Sequence, residues 1–231
     1  MKVAIVTGAG RGIGRAVAVR LARGGYAMVL VSRTVGELEE TARLCGGENV
    51  AVCVGDVTLP KTAEEAVGVA VSRFGGLSAV VHSAGVAPLL PIEETTPEIF
   101  REVIDTNLTS AYLFARAAWG PLKRGGGGAI VNISSMASRD PYNGFSAYGA
   151  AKAGVNLLTL SLNREGKAHG IRVYAVAPGV VETAMFRKLM TPEQFPTENA
   201  LSADEVAAVV EQCVGGSLTH ASGETVFLSK T

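Results

Sequence analysis

The chain has 231 residues, 48% of them hydrophobic, and its 21 basic and 21 acidic residues cancel to a formal charge of zero. That balance excludes the electrostatic footprint of a nucleic-acid binder or of a protein held on an anionic membrane, and the apolar content excludes intrinsic disorder. Three cysteines without a CxxC and three scattered histidines leave no metal-ligand spacing; they read as buried small hydrophobes and isolated side chains in a reducing, cytoplasmic compartment.

The chain opens on KVAIVT (2–7), apolar on both faces as in a covered parallel strand. Its apolar run is too short for the core of a signal peptide, and none farther along reaches membrane-spanning length. TGAGRGIG (7–14) follows, where the first helix, Gly12–Arg23, begins. The spacing G-x-G-x-x-G fails there because Ile13 stands where the third glycine belongs. T-G-x-x-x-G-x-G fits, through Gly8, Gly12 and Gly14. Glycines at this turn let a pyrophosphate approach the helix N–H groups without Cβ interference, although a tight helix-packing turn uses the same residues. The second strand, AMVLVS (27–32), runs into Arg33 and Thr34 with no acid to bind two ribose hydroxyls. A guanidinium at Arg33, with donors from Ser32 and Thr34 and with Arg11 of the glycine loop, suits the 2′-phosphate of NADP(H), a solvated loop residue being the alternative.

A helix over Gly36–Leu44 leads to the strand NVAVCV (49–54) and to Asp56, where a carboxylate could accept from an adenine amino group or simply serve the turn. Beyond it come a helix over Lys61–Phe74, the strand SAVVHS (78–83) and a long helix, Pro97–Lys123, opened by Thr96 and Pro97. The strand AIVNIS (129–134), a helix over Ala147–His169, the strand IRVYAV (171–176), a helix over Ala203–Val214 capped by Ser202 and Glu205, and TVFLS (225–229) complete the alternation. About seven strands alternating with helices predict an α/β fold, a single doubly wound parallel sheet with helices on both faces and no domain boundary.

Tyr148 and Lys152 lie one helical turn apart on a shared face, after Ser135 at a strand end and Asn107 in the long helix. An ammonium about 5 Å from a phenol, at an effective dielectric of ~20, favours the phenolate by roughly 3 kcal/mol, which would bring the tyrosine toward neutral pH.

With these four residues, the glycine turn, "SAG" (83–85), "NISS" (132–135) and "PGVVET" (178–183), the whole chain resembles the short-chain dehydrogenase/reductase family. The resemblance implies one Rossmann-like oxidoreductase domain over residues 1–231, with a small carbonyl or alcohol substrate. It implies catalysis by Asn107, Ser135, Tyr148 and Lys152: Tyr148 as general acid/base, Ser135 on the carbonyl oxygen, Lys152 on the nicotinamide ribose, and Asn107 holding a relay water. It implies cofactor contacts at Gly8, Arg11, Gly12, Ile13 and Gly14; at Ser32, Arg33 and Thr34; at Asp56 and Val57; at Ala84 and Gly85; and at Tyr148, Lys152, Pro178, Gly179, Val181 and Thr183. Small residues around the pair (Ala147, Gly149, Ala150, Ala151, Ala153, Gly154) imply a helix face used in a homodimer or homotetramer, a buried helix in a monomer being the alternative.

The sequence departs from the family pattern at His82-Ser83, where two asparagines are usual, and at Ala177 before Pro178. We read His82 as a satisfied structural histidine. The segment after Thr183 occupies the place of a substrate loop, with Met185, Phe186, Leu189 and Met190 opposite Met136, Tyr142 and Phe145. An apolar lid and ordinary core packing are equally consistent with it. Arg139, Arg187 and Lys188 would serve an anionic substrate or face solvent. The best substrate reading is a 3-oxoacyl thioester; other ketones, diketones or keto sugars, and a non-catalytic NADP(H)-binding sensor, are the alternatives.

Overall fold

The computed structural model describes residues 1–230. Seven strands form one parallel sheet: β1 (Lys2–Thr7), β2 (Tyr26–Ser32), β3 (Val50–Val54), β4 (Ala79–His82), β5 (Gly128–Ile133), β6 (Ile171–Pro178) and β7 (Thr225–Leu228), in the order β3-β2-β1-β4-β5-β6-β7. The strands are apolar on both faces because both faces are covered. Residues alternate along each strand, so Ala4 and Val6 enter one core while Val3 and Ile5 enter the other.

On the first face pack α1 (Gly12–Arg23), α2 (Val35–Leu44) and α8 (Ala203–Gly215), through Val17, Leu21, Leu38, Val206 and Val210. On the second pack α3 (Pro60–Phe74) and α5 (Ser110–Arg124), through Ala66, Ala70, Phe114 and Leu122. Each fully buried valine or leucine contributes roughly 1.5–3 kcal/mol relative to exposure. The chain order reverses between β1 and β4, and the crevice outside the carboxyl ends of the strands at such a switch point is where this architecture takes its ligands.

The long helix expected over Pro97–Lys123 is interrupted. α4 (Pro97–Ile104) passes through a π-helical turn at Asp105–Thr109 before α5 begins. The Asn107 side-chain amide donates to the Val103 carbonyl at 2.9 Å, taking the acceptor that its own backbone N–H would use, and the helix widens by one residue. The helix expected to reach His169 is α6 (Ser146–Gly166); it tightens to a 3₁₀ turn over Lys167–His169 and stops at Gly170, whose φ of 69° reverses the chain. A one-turn α7 (Ala184–Arg187) forms in the segment after Thr183. Among the described residues, no helix is long and apolar enough to cross a membrane.

Candidate active site

A cavity of about 690 Å³ opens at the carboxyl edge of the sheet, of a size that holds drug-sized ligands. Every residue named above as a catalytic or cofactor candidate lines it, from Gly8 through Asn107, Ser135, Tyr148 and Lys152 to Thr183.

At the β1 end the walls are backbone. Gly8 and Gly12 have φ of 62° and 56°, a region costly for other residues. A Cβ on Gly14 would lie 2.2 Å from the Gly8 carbonyl oxygen. The first turn of α1 has no side-chain cap and no acid, so its N–H groups face the cavity unclaimed. α8 differs: Ser202 and Glu205 close a full capping box on its first turn. The residues of the first turn thus fit a pyrophosphate. Past it, Arg33 stands exposed at the end of β2, close enough to Asp56 to lower the carboxyl's pKa, although the Thr58 backbone N–H is the larger cause. Asp56 Oδ1 accepts from that N–H at 2.9 Å and from the Thr58 hydroxyl at 2.8 Å.

The other end is built from side chains. Ser135 is the last extended residue before a 3₁₀ turn, and its Oγ accepts from the Ala137 N–H at 3.1 Å, which leaves its O–H free to donate into the cavity. Asn156, which sequence reasoning missed, fixes this turn to α6. It accepts from Ser134 Oγ at 2.6 Å and donates to Ser138 Oγ at 2.9 Å. Gly149 permits the close approach, since a Cβ there would lie 2.9 Å from the Ala137 carbonyl oxygen.

Lys152 is buried, and Nζ donates to the Ile133 carbonyl at 2.8 Å. Burial lowers its pKa to about 8. Nζ lies 5.6 Å from the centre of the Tyr148 ring. The expectation that this ammonium draws the phenol toward neutrality is corrected: burial dominates and raises the Tyr148 pKa, with the Ser135 hydroxyl acting the other way. Tyr148 is therefore a protonated phenol at neutral pH. Asn107 donates to Val86 and Val103 carbonyls, but its buried Oδ1 has no partner. That acceptor points toward Gly85, beside Lys152 Nζ.

His82 joins β1 to the π-helical turn that carries Asn107. Thr7 Oγ1 accepts from the Ser83 and Ala84 N–H groups, both at 3.1 Å, so it donates to His82 Nδ1 at 2.9 Å. Nε2–H is then left to donate to Ser110 Oγ at 2.9 Å, and Ser110 donates to the Thr106 carbonyl inside the π-helical turn. Full burial holds the imidazole neutral, with a pKa lowered to about 3. Both ring nitrogens are partnered, as the reading of His82 as a satisfied structural histidine expects; the partners themselves come from folding.

Met136, Tyr142, Phe145, Met185, Phe186, Leu189 and Met190 line the remaining cavity and form its apolar wall. Arg187 holds the lid segment together. It pairs bidentately with Glu182, stacks on Phe186 and donates to the Phe195 carbonyl at 2.9 Å and the Thr197 hydroxyl at 3.0 Å. Thr183, expected at a carboxamide, caps α7 by accepting from Phe186 N–H at 3.2 Å. Arg139 stacks 4.4 Å over Phe227, and Lys188 is exposed and off the cavity.

A seven-stranded parallel sheet of this order, with Ser135, Tyr148 and Lys152 lining one cavity at its carboxyl edge, is the architecture of a dinucleotide-binding protein. The model of the short chain dehydrogenase family matches residues 2–194, and the chain belongs to that family. Carbonyl reductase [NADPH] 2 of Sus scrofa is 34% identical over 235 residues, 97% of this chain and 93% of that protein. Dehydrogenase/reductase SDR family member 4 of Oryctolagus cuniculus is 29% identical, covering 99% and 92%. Among solved structures, levodione reductase superimposes with a TM-score of 0.91 at 27% identity, covering 99% of this chain and 96% of that one.

Proposed function

We propose that the protein is an NADP(H)-dependent oxidoreductase that interconverts a carbonyl and a secondary alcohol, with Tyr148 as general acid/base. The observation that carries this reading is the convergence of Ser135, Tyr148, Lys152 and the orphaned Asn107 Oδ1 on the cavity that begins at the glycine cradle. The NADPH reductase among its relatives supports the choice of cofactor. Gly8, Gly12 and Gly14 with the free amides of α1 would hold the pyrophosphate; Arg11 and Arg33 would hold the 2′-phosphate. When bound, the cofactor supplies or accepts the hydride.

The chain's own groups do the rest. The free Ser135 O–H donates to the substrate oxygen and steadies the charge that grows there. Tyr148, a protonated phenol, delivers the proton to that oxygen in the reductive direction. Lys152 then stands beside the phenolate, stabilises it and passes it a proton, which restores the phenol. The unpartnered Asn107 Oδ1 holds a water through which Lys152 regains a proton. The apolar lid excludes bulk water while this happens.

Two substrate readings follow. A 3-oxoacyl thioester is the first. A small uncharged ketone or diketone is the second, and the lining favours it: Arg187 is consumed by Glu182, Arg139 stacks on Phe227, and no base reaches the lid half of the cavity. The three cysteines are free, and burial raises each thiol's pKa, which suits a reducing cytoplasm. The exposed stripe of Tyr112, Ala150, Ala153 and Leu157 on α5 and α6 suits a homodimer or homotetramer.

The test follows NADPH absorbance with acetoacetyl thioesters, ketones and diketones, in the wild type and in Tyr148→Phe. Oxidation that falls about a thousandfold or more in the variant, with NADPH binding kept, supports the reading. NADPH binding with no turnover of any carbonyl or alcohol would replace it with a cofactor sensor.

A further inference from the structure

The glycine motif uses Gly8, Gly12 and Gly14, but Gly10 is left over, and Glu37 accounts for it. The Glu37 side chain lies flat against this residue: a Cβ on Gly10 would stand 2.8 Å from Glu37 Oε2 and 2.9 Å from Glu37 Cβ. The same point is 3.3 Å from Ser32 Oγ, so the carboxylate and the Ser32 hydroxyl are within about 6 Å of each other. Glu37 Oε1 lies 3.6 Å from Arg11 Nη1. Glu37 therefore lines the adenosine end of the cavity among Arg11, Ser32, Arg33 and Thr34.

Its position is built in rather than incidental. Arg15 donates to the Gly10 carbonyl and, at 3.4 Å, to the Glu37 carbonyl, tying the first turn of α2 to the glycine loop. Arg15 Nε also donates to the buried Thr41 hydroxyl, which donates to the Ala9 carbonyl at 2.9 Å. The carboxylate is held beside Arg11, a guanidinium that a 2′-phosphate would also draw on. Both arginines of this subsite thus have an acid close by: Glu37 at Arg11, and Asp56 near enough to Arg33 to feel its charge.

We propose that Glu37 is a specificity-determining residue: it competes with a 2′-phosphate for Arg11, opposes that phosphate by like charge, and accepts from a free ribose hydroxyl. The protein then uses NADH as well as NADPH, with only a small preference for the phosphorylated form. This rests on the cofactor reading above, because only a dinucleotide in the cradle places its ribose at Glu37.

The test is equilibrium titration of wild type and Glu37→Gln with NADPH, NADH, 2′,5′-ADP and 5′-AMP, read by fluorescence or calorimetry rather than by turnover. Gln keeps the size, and the side chain's one charge partner is the exposed Arg11, so the melting temperature should not move. Glu37→Gln should bind NADPH and 2′,5′-ADP about fivefold tighter, the range for one half-exposed charge pair, while NADH and 5′-AMP are unchanged or weaker. Equal shifts for the phosphorylated and unphosphorylated ligands, or none, would overturn the role of Glu37. Failure of the wild type to bind either dinucleotide would overturn the cofactor reading itself.

Discussion

The two ends of the cavity are made of different material. At the β1 end the contacts are backbone: positive-φ glycines, the open amides of α1 and a glycine carbonyl with no room beside it. At the lid end they are side chains, held in place by other side chains: Arg187 on Glu182, Asn156 on Ser134 and Ser138, Phe186 on Phe195. A backbone wall tolerates almost no substitution where it is tight, but it can be recognised from residue type and spacing. A side-chain wall tolerates more, and nearly all of its specificity lies in tertiary contacts. The difference can be put to the test by breaking each end in turn.

The largest effect belongs to Gly14→Ala. The new methyl would meet the Gly8 carbonyl at 2.2 Å, and both atoms sit on backbone that has nowhere to go. Overpacking against backbone exceeds the usual 1–3 kcal/mol for cores, so NADPH affinity should fall by at least about a hundredfold. Gly12→Ala is the control. Its φ of 56° is unfavourable, but the nearest atom to its methyl would be Thr183 Cγ2 at 3.4 Å. Its cost should stay near 1–2 kcal/mol. Titration and thermal melts of both variants give the ranking; similar losses would show that strain, not contact, governs the cradle.

His82 ties β1 to the π-helical turn through Thr7 and Ser110, so the next effect is on the stability of the sheet edge that carries the cavity. Its imidazole is neutral in the folded protein, with a pKa lowered from 6.5 to about 3. The unfolded chain therefore binds more protons between those values, and stability is fully present above pH 6.5 and lost as pH falls toward 3. Between pH 7 and pH 5 this group alone removes about 2 kcal/mol. His82→Asn should be less stable than wild type at pH 7, because the Thr7–Ser110 relay is broken, yet show a flatter acid limb in urea melts. An unchanged slope would show that His82 is not the group that titrates.

The same contrast governs how much the sequence reveals. The strands, the helices that cover them and the cradle were legible because apolar runs and Gly8, Gly12 and Gly14 are local constraints. Tyr148 and Lys152 were legible because one helical turn must bring them together. The π-helical turn was not, since "DTNLT" contains no helix breaker and the widening comes from the Asn107 amide reaching Val103. Glu37 was equally hidden: its contact with Gly10 spans two elements and exists only once Arg15 ties them together. Arg187 was read from composition as a charge for substrate or solvent, whereas folding commits it to Glu182.

That commitment yields the smallest prediction. The Glu182–Arg187 pair sits outside the reacting groups, so removing its charge should loosen the lid without disturbing the cradle. Glu182→Gln should raise KM for the carbonyl substrate about fivefold, the range of one partly exposed pair, with NADPH affinity unchanged in the same titration used for Gly14→Ala. The Arg187 guanidinium holds the Glu182 carboxyl below the usual carboxylate range, so the pair is intact above that range and is lost only on stronger acidification. The KM difference between wild type and variant should therefore stay constant from pH 8 down to pH 6, although the His82 contribution begins to fall below pH 6.5. A variant that loses cofactor affinity as well would mean that the lid and the cradle are one mechanical unit, and the two ends of the cavity would no longer be separable.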